Sequence, residues 1–406
     1  MFLLIVIMFS IFFVPTFNFI GIPIRIEDFL IIWMLIAFGN EIKMKDKHFT
    51  LLIKFLIIFI FFNLVSISIY KLEGYNISFR DLNTVLLYLK SMVVLYVGYI
   101  MARKFEYTSD NSILLPICIV LGLSSLVAMV QYFDLLNMGR EMYLIYGNED
   151  HIKYGVTRAV GTLSNPNHAA YYHGVGFVLS LNLFAQTKWG KFLKYILVLF
   201  CLLGVLLTFS RTGMAALFIV WFAVLILQKK VKAVVAISMM LLVIYVFFID
   251  KIVEGTRFAI ILQQDSMGLT SFGNRSTLIW NIRLEDFFIH PFFGIGPAKS
   301  LESGTIYGST IYDNTYFLLL ITSGLVGFVF YTLFIFSSLI YFIKNNIGQA
   351  SRLNIAYIGV LIFTLVFFIS TDLIWDIKFV SFFYLMLGIF CAVYTSKNDP
   401  LNETIN

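Results

Sequence analysis

The stretch KYILVLFCLLGVLLTFSRTGMAALFIVWFAVLILQKK, residues 194–230, decides the fold. Tyr195–Thr208 and Met214–Gln228 are almost purely aliphatic and aromatic, and Phe209-Ser210-Arg211-Thr212-Gly213 lies between them. Read as spans 192–208 and 212–228, these runs reach the ~17–25 residues that carry a helix across hydrocarbon. A guanidinium exposed to lipid at mid-bilayer costs at least ~2.5–3.5 kcal/mol, so Arg211 belongs at a membrane boundary or in a polar cavity. The turn is too short to form a domain. Arg211 is therefore placed to hold something anionic at one membrane face.

Composition generalises the reading. Hydrophobic residues make up 60% of the 406 and charged residues 13%, with a mean hydropathy of +0.90. These values exclude an ordinary soluble domain. Residues 1–20 lack a basic n-region and a small-x-small cleavage site, so they read as a retained span. Cys118, Cys201 and Cys391 fall within apolar runs, which argues against a disulfide framework. A net charge of +6 is small for this length. It reports membrane orientation, and nucleic acid is not expected as a partner.

The expected fold is all-α: a polytopic membrane helix bundle of about twelve spans by the ~20-residue criterion, in a single domain 1–406. Approximate limits are 1–20, 28–39, 49–70, 84–102, 112–136, 166–187, 192–208, 212–228, 232–249, 315–343, 353–371 and 375–395. The longest polar interval is residues 251–311, between spans nine and ten, and loops of that length are often functional. Basic residues set the orientation. Lys43, Lys45, Lys47, Arg103, Lys104, Lys188, Lys191, Lys194, Lys229, Lys230, Lys232, Lys344, Arg352 and Lys397 all fall on one side if both termini are cytoplasmic. Most acids fall on the other, with a few bases such as Lys71, Arg80 and Lys153. Arg211 and the long loop are thus expected outside the cytoplasm.

On that outer side the arginines are isolated. Arg158 lies in Thr157-Arg158-Ala159-Val160-Gly161, Arg275 in Gly273-Asn274-Arg275-Ser276, and Arg283 on an expected helix over 276–288. A guanidinium grips phosphate oxygens at two points and stays charged. Arginines from distant loops meeting at one face would clamp a pyrophosphate. The alternative is that each snorkels or pairs with an acid, as Arg283 can with Glu285 and Asp286.

Two further segments carry polar chemistry. In Asn165-Pro166-Asn167-His168, Asn165 suits an N-cap and Pro166 the first helical position. The segment is a plain helix start, or else it also turns Asn167 and His168 toward an anion that the helix dipole favours. Asp313-Asn314-Thr315-Tyr316 closes the long loop. A carboxylate there is either a general base for a sugar hydroxyl or an N-cap. Gly294-x-Gly296 lacks the strand–helix context of a nucleotide site and reads as a chain reversal at the membrane surface, with His290 capping a preceding helix. No metal motif occurs, and no metal or cofactor is expected.

Four blocks in order resemble the O-antigen polymerase/ligase superfamily of bacterial envelope glycosyltransferases. They are Gly161-Thr162-Leu163-Ser164-Asn165-Pro166-Asn167-His168-Ala169, then Ser210-Arg211-Thr212-Gly213. Next is Asn274-Arg275-x-x-x-x-Trp280 with His290-Pro291-x-x-Gly294-x-Gly296, and last Asp313-Asn314-x-Tyr316 with Gly324-Leu325-x-Gly327. The resemblance implies a GT-C-like, metal-independent glycosyltransferase of the bacterial cytoplasmic (inner) membrane acting on undecaprenyl-pyrophosphate-linked glycans. It also implies a chain-length regulator and a flippase as partners besides membrane lipid. In ligases of the superfamily a histidine precedes the asparagine of the last block, and Asp313 stands in its place here. That departure leans toward the Wzy-type polymerase and away from the ligase. Asp313 and Arg211 are the expected catalytic residues; Arg158, Asn165, Asn167, His168, Arg275, Asn314 and Tyr316 are expected to bind substrate. A flippase or other transporter is the rival, but it would more often show internal repeats, and none is visible.

Overall fold

Inside hydrocarbon every backbone N–H and C=O must find a partner within the protein, so long apolar runs fold as helices. The computed structural model describes residues 2–19, 22–40, 46–74, 77, 79–105, 110–146, 158–230, 232, 284, 287–297, 314–348 and 351–397. Within them lie α1 (Phe2–Phe13), a ribbon of β1 (Phe17–Phe19) and β2 (Ile22–Ile24), α2 (Ile26–Phe38), α3 (Lys47–Leu72) and α4 (Phe79–Lys104). There follow α5 (Asp110–Phe133), α6 (Gly139–Tyr146), α7 (Pro166–Leu181), α8 (Lys188–Leu207) and α9 (Arg211–Leu227). The chain ends in α10 (Thr315–Gly348), α11 (Arg352–Phe367) and α12 (Ile377–Lys397). The fold is a polytopic helical membrane bundle. Among the described residues, six helices (α3, α4, α5, α8, α10 and α12) are long and apolar enough to cross a membrane. Large apolar side chains stand exposed on the flanks, among them Phe61 at 57% and Ile36 at 76%. A surface of that kind belongs against lipid. Cys118, Cys201 and Cys391 are buried and are not joined in disulfides. Apart from residue 232, the expected span 232–249 lies outside the described residues.

The expected first span, 1–20, is interrupted. Helix α1 ends at Phe13 and the chain turns into an antiparallel ribbon in which Phe17 faces Ile24. Arg25 is the physical reason. Its buried guanidinium donates to Ser10 O (3.0 Å), which also accepts from Val14 N (3.3 Å), and to Ile11 O (2.6 Å) and Val14 O (3.0 Å), carbonyls at and just past the end of α1 where the helical ladder stops. Glu27 accepts from Arg25 Nε and from Ser10 Oγ, so the buried cation is neutralised.

Helices α4 and α12 touch backbone to backbone. A Cβ on Gly98 would fall 2.3 Å from Leu385 O, and one on Gly388 would fall 2.1 Å from Leu95 O. Small residues at such a crossing let two helices approach until dispersion and weak hydrogen bonds hold them.

The expected tenth span is a broken helix. Gly324 in α10 has φ 63° and ψ −174°, a conformation open essentially to glycine alone. The break strands backbone groups on both sides, and the His290–Gly296 segment satisfies them. Ile295 N donates to Ile321 O (3.1 Å) and Gly296 N to Thr322 O (3.1 Å), while Leu325 N donates to Pro291 O (2.8 Å) and Val326 N to Phe292 O (3.1 Å). The chain reversal expected at Gly294-x-Gly296 is thus a splice laid into a helix. His290 directly follows the helical residues 287–289, and its Nε2 lies 2.9 Å from Glu73 Oε2, at the end of α3.

Candidate functional site

The starts of α7, α9, α10 and α12 build one end of the bundle. Each begins as local chemistry dictates. Asn165 accepts from Asn167 N (2.8 Å) with Pro166 in the first turn, so α7 starts where cap and proline rules place it. Ser210 accepts from Gly213 N (3.2 Å) and caps α9, leaving Arg211 exposed as the first residue of that helix. Phe209 takes a left-handed φ of 50°, which makes the turn from α8 into α9 tight.

Tertiary contacts draw these starts together. Arg158 Nε donates to Thr208 O (2.8 Å) and Nη2 to Asn167 Oδ1 (3.2 Å), bridging the α8–α9 turn and the first turn of α7. Ala159 N donates to Leu207 O (3.0 Å), and Gly213 packs on Ala170. The first two sequence blocks therefore form one surface, with two helix N-termini and two arginines on it. Both features favour an anion. Behind it, Gln131 of α5 fixes the loop by accepting from Val160 N (3.0 Å) and Gly161 N (2.8 Å) and donating to Gly161 O (2.9 Å).

His168 meets a partner that sequence reasoning did not assign. Its Nδ1 lies 3.1 Å from Asp376 Oδ2, just before α12. Asp376 also accepts from Tyr172 Oη (3.1 Å) and from Lys378 N (2.9 Å). Burial pushes this carboxyl up, but the His168 imidazole and the Lys378 amide and ammonium outweigh it and hold it below the usual carboxylate range. With Nδ1 engaged, the free Nε2 of His168 is the nitrogen available to a substrate. Lys378 donates through Nζ to Thr162 O (2.7 Å) and Phe12 O (3.3 Å), tying this start to the first block and to α1. The only sequence signal for Asp376 was its place among the acids of one side.

Asn314 and Tyr316 lie across the turn that carries Asp376. Asn314 N donates to Asp372 Oδ1 (2.9 Å), and a 3-10 turn, Leu373–Trp375, leads from there to Asp376. Asn314 Oδ1 accepts from Phe317 N (3.1 Å), and Tyr316 Oη donates to Leu365 O (3.0 Å). Those polar atoms are engaged within the protein. Arg158, Asn165, Asn167, His168 and Arg211 are brought to one face; Asp313, Arg275 and Arg283 lie outside the described residues. Among the described residues there is no group of three or more His, Cys, Asp or Glu that could hold a metal ion.

Comparison with known proteins bears on this end of the bundle. Residues 196–332 match the family model described as O-antigen ligase. The match spans three of the four blocks, and Arg158 ties the remaining block to it by donating both to Asn167 Oδ1 and to Thr208 O. It supports the O-antigen polymerase/ligase superfamily and, with the long apolar helices, a multi-pass bacterial membrane protein. A search of curated proteins found no match.

Proposed function

We propose, from that superfamily match, that the chain is a polysaccharide repeat-unit polymerase working at the outer face of the cytoplasmic membrane. The growing glycan on undecaprenyl pyrophosphate is the donor. A sugar hydroxyl of a new lipid-linked repeat attacks its anomeric carbon; the glycosidic bond forms, the carbon–phosphate oxygen bond breaks, and lipid pyrophosphate departs. Arg211 and Arg158 stabilise the charge that develops on the leaving group, the kind of effect that usually dominates such reactions. His168, oriented by Asp376, takes the hydroxyl proton at Nε2, and Asp313 orients that hydroxyl. Asn165, Asn167, Arg275, Asn314 and Tyr316 shape the substrate surface, the last two from behind it. The product is O-antigen, capsule or exopolysaccharide.

The observation that carries this reading is the joining of Arg158 and Arg211 on one surface of two helix N-termini, with His168 and its carboxylate beside it. Purified protein in liposomes, given lipid-linked repeats alone, is expected to extend chains. Transfer only to a lipid A-core acceptor would establish the ligase instead, a reading favoured by the description of the matching family. Movement of intact lipid-linked glycan across the bilayer without chain growth would establish a flippase.

The same reading requires residues 251–311 outside the cytoplasm and both termini inside. Cysteines introduced at Ser266 and Ser303 are expected to react with a membrane-impermeant maleimide in intact spheroplasts. Labelling confined to lysed cells would place the loop, and the proposed chemistry, on the wrong side.

A further inference from the structure

At the far ends of α7 and α9, about 24 Å from their starts by the 1.5 Å rise of a 16-residue helix, four cations surround a cavity. Its volume is about 390 Å³, within the ~300–1,000 Å³ of small-ligand sites. Lys194, Lys229, Lys230 and Arg352 line it together with Asn182 and Gln228, and among the described residues no carboxylate does so. The four come from three separate chain segments: the first turns of α8, the residues after α9, and the start of α11.

Two of these cations are held in place. Lys194 Nζ donates to Leu181 O (2.8 Å) and Leu183 O (2.9 Å) at the end of α7. Arg352 lies over the Phe184 ring, 4.6 Å from its centroid. Lys229 and Lys230 stand exposed at the rim. Lys230 N donates to Leu225 O and Lys229 N to Ile226 O, which closes α9 with Lys229 in the left-handed position (φ 58°) that glycine ordinarily takes. The chain thus accepts a conformational cost to keep a lysine there. Lys194, Lys230 and Arg352 set like charges around one cavity, and like charges repel. An anion would remove that repulsion.

The position of the cavity names the anion's source. The first turns of α8 alternate Lys188 and Lys191 with outward-facing Trp189 (81% exposed), Phe192 (57%) and Tyr195 (66%). Amphipathic aromatics such as Trp189 and Tyr195 settle at the headgroup level of a bilayer, where phosphate is the abundant anion. We infer that this cavity binds the phosphate headgroup of an anionic phospholipid, with Lys194 and Arg352 behind it and Lys229 and Lys230 at its mouth. Basic pockets between helices at a membrane interface bind such headgroups.

The test uses the full chain in detergent and reads lipid binding, so it is independent of glycan chemistry. Thermal unfolding midpoints are compared with phosphatidylcholine, phosphatidylglycerol or cardiolipin added, and native mass spectrometry counts retained lipids. The anionic lipids are expected to raise the midpoint by several degrees over phosphatidylcholine, the more so at low salt. Lys229→Gln/Lys230→Gln should lose most of that rise and one retained anionic lipid, while Lys188→Gln/Lys191→Gln keeps both. The milder Lys230→Gln alone, at an exposed position, should show an intermediate loss. Equal protection by phosphatidylcholine, or full protection of the Lys229/Lys230 variant, would overturn the site. Protection by millimolar inorganic pyrophosphate equal to that by lipid would reassign it to a soluble anion.

Discussion

Arg211→Lys is expected to polymerise ten- to a hundred-fold more slowly than the parent chain while accumulating normally in the membrane. Lysine keeps the charge but loses the planar two-point grip on phosphate oxygens. The collapse of two charge-assisted hydrogen bonds to one costs about 1.5–3 kcal/mol, which gives that range in rate. Arg211→Ala removes the charge as well and should fall further. The start of α9 does not depend on the side chain being replaced. Arg211 is exposed, it occupies the first position of α9, and the Ser210 cap that starts the helix is untouched. The measurement is chain extension per amount of protein in membrane vesicles. An unchanged rate in the lysine variant would leave Arg211 as a boundary anchor and remove the leaving-group clamp from the mechanism.

Arg158 provides the contrast. Its guanidinium donates to Thr208 O and Asn167 Oδ1, so its removal would disturb the join between α7 and the α8–α9 turn besides any contact with substrate.

What the sequence disclosed about this site follows from the range of each physical rule. Apolar run length and capping act over a few residues, so the helix start at Pro166 could be read directly from Asn165-Pro166, and the start at Arg211 falls one residue before the expected 212. Spacing of lysines and arginines acts span by span, so the basic end of the bundle was legible too. The pairing of His168 with Asp376 joins residues 208 positions apart, and no local rule encodes it. The break in α10 was hidden for a similar reason. Ser323-Gly324-Leu325 sits within a long apolar run, and only the backbone of residues 291–296 makes the interruption tolerable there. Arg25 shows the opposite failure: a charge in a short connection became one of the most buried side chains, because the end of α1 presents carbonyls that need donors.

Replacing either member of the His168–Asp376 pair is expected to slow polymerisation by about 10²–10⁴-fold, the usual contribution of a positioned general base. His168→Asn removes the base outright. Asp376→Asn is the more discriminating change. Its Oδ1 can still accept from Lys378 N and Tyr172 Oη can still hydrogen-bond, so the start of α12 keeps its partners. The amide NH₂, however, faces His168 Nδ1 and must be met by a lone pair. The imidazole is then driven to carry its proton on Nε2, the nitrogen that should receive one. A carboxylate selects the base-competent tautomer and an amide selects against it, as in other His–Asp catalytic pairs. Because the two residues act as a unit, the double variant should be scarcely slower than His168→Asn alone. Asp313→Asn, which keeps helix-capping ability but cannot take a proton, should lose far less than His168→Asn if Asp313 only orients the hydroxyl. The reverse order, with Asp313→Asn inactive and His168→Asn near normal at equal protein levels, would move the base to Asp313 and leave the His168–Asp376 contact as a strut between α7 and α12.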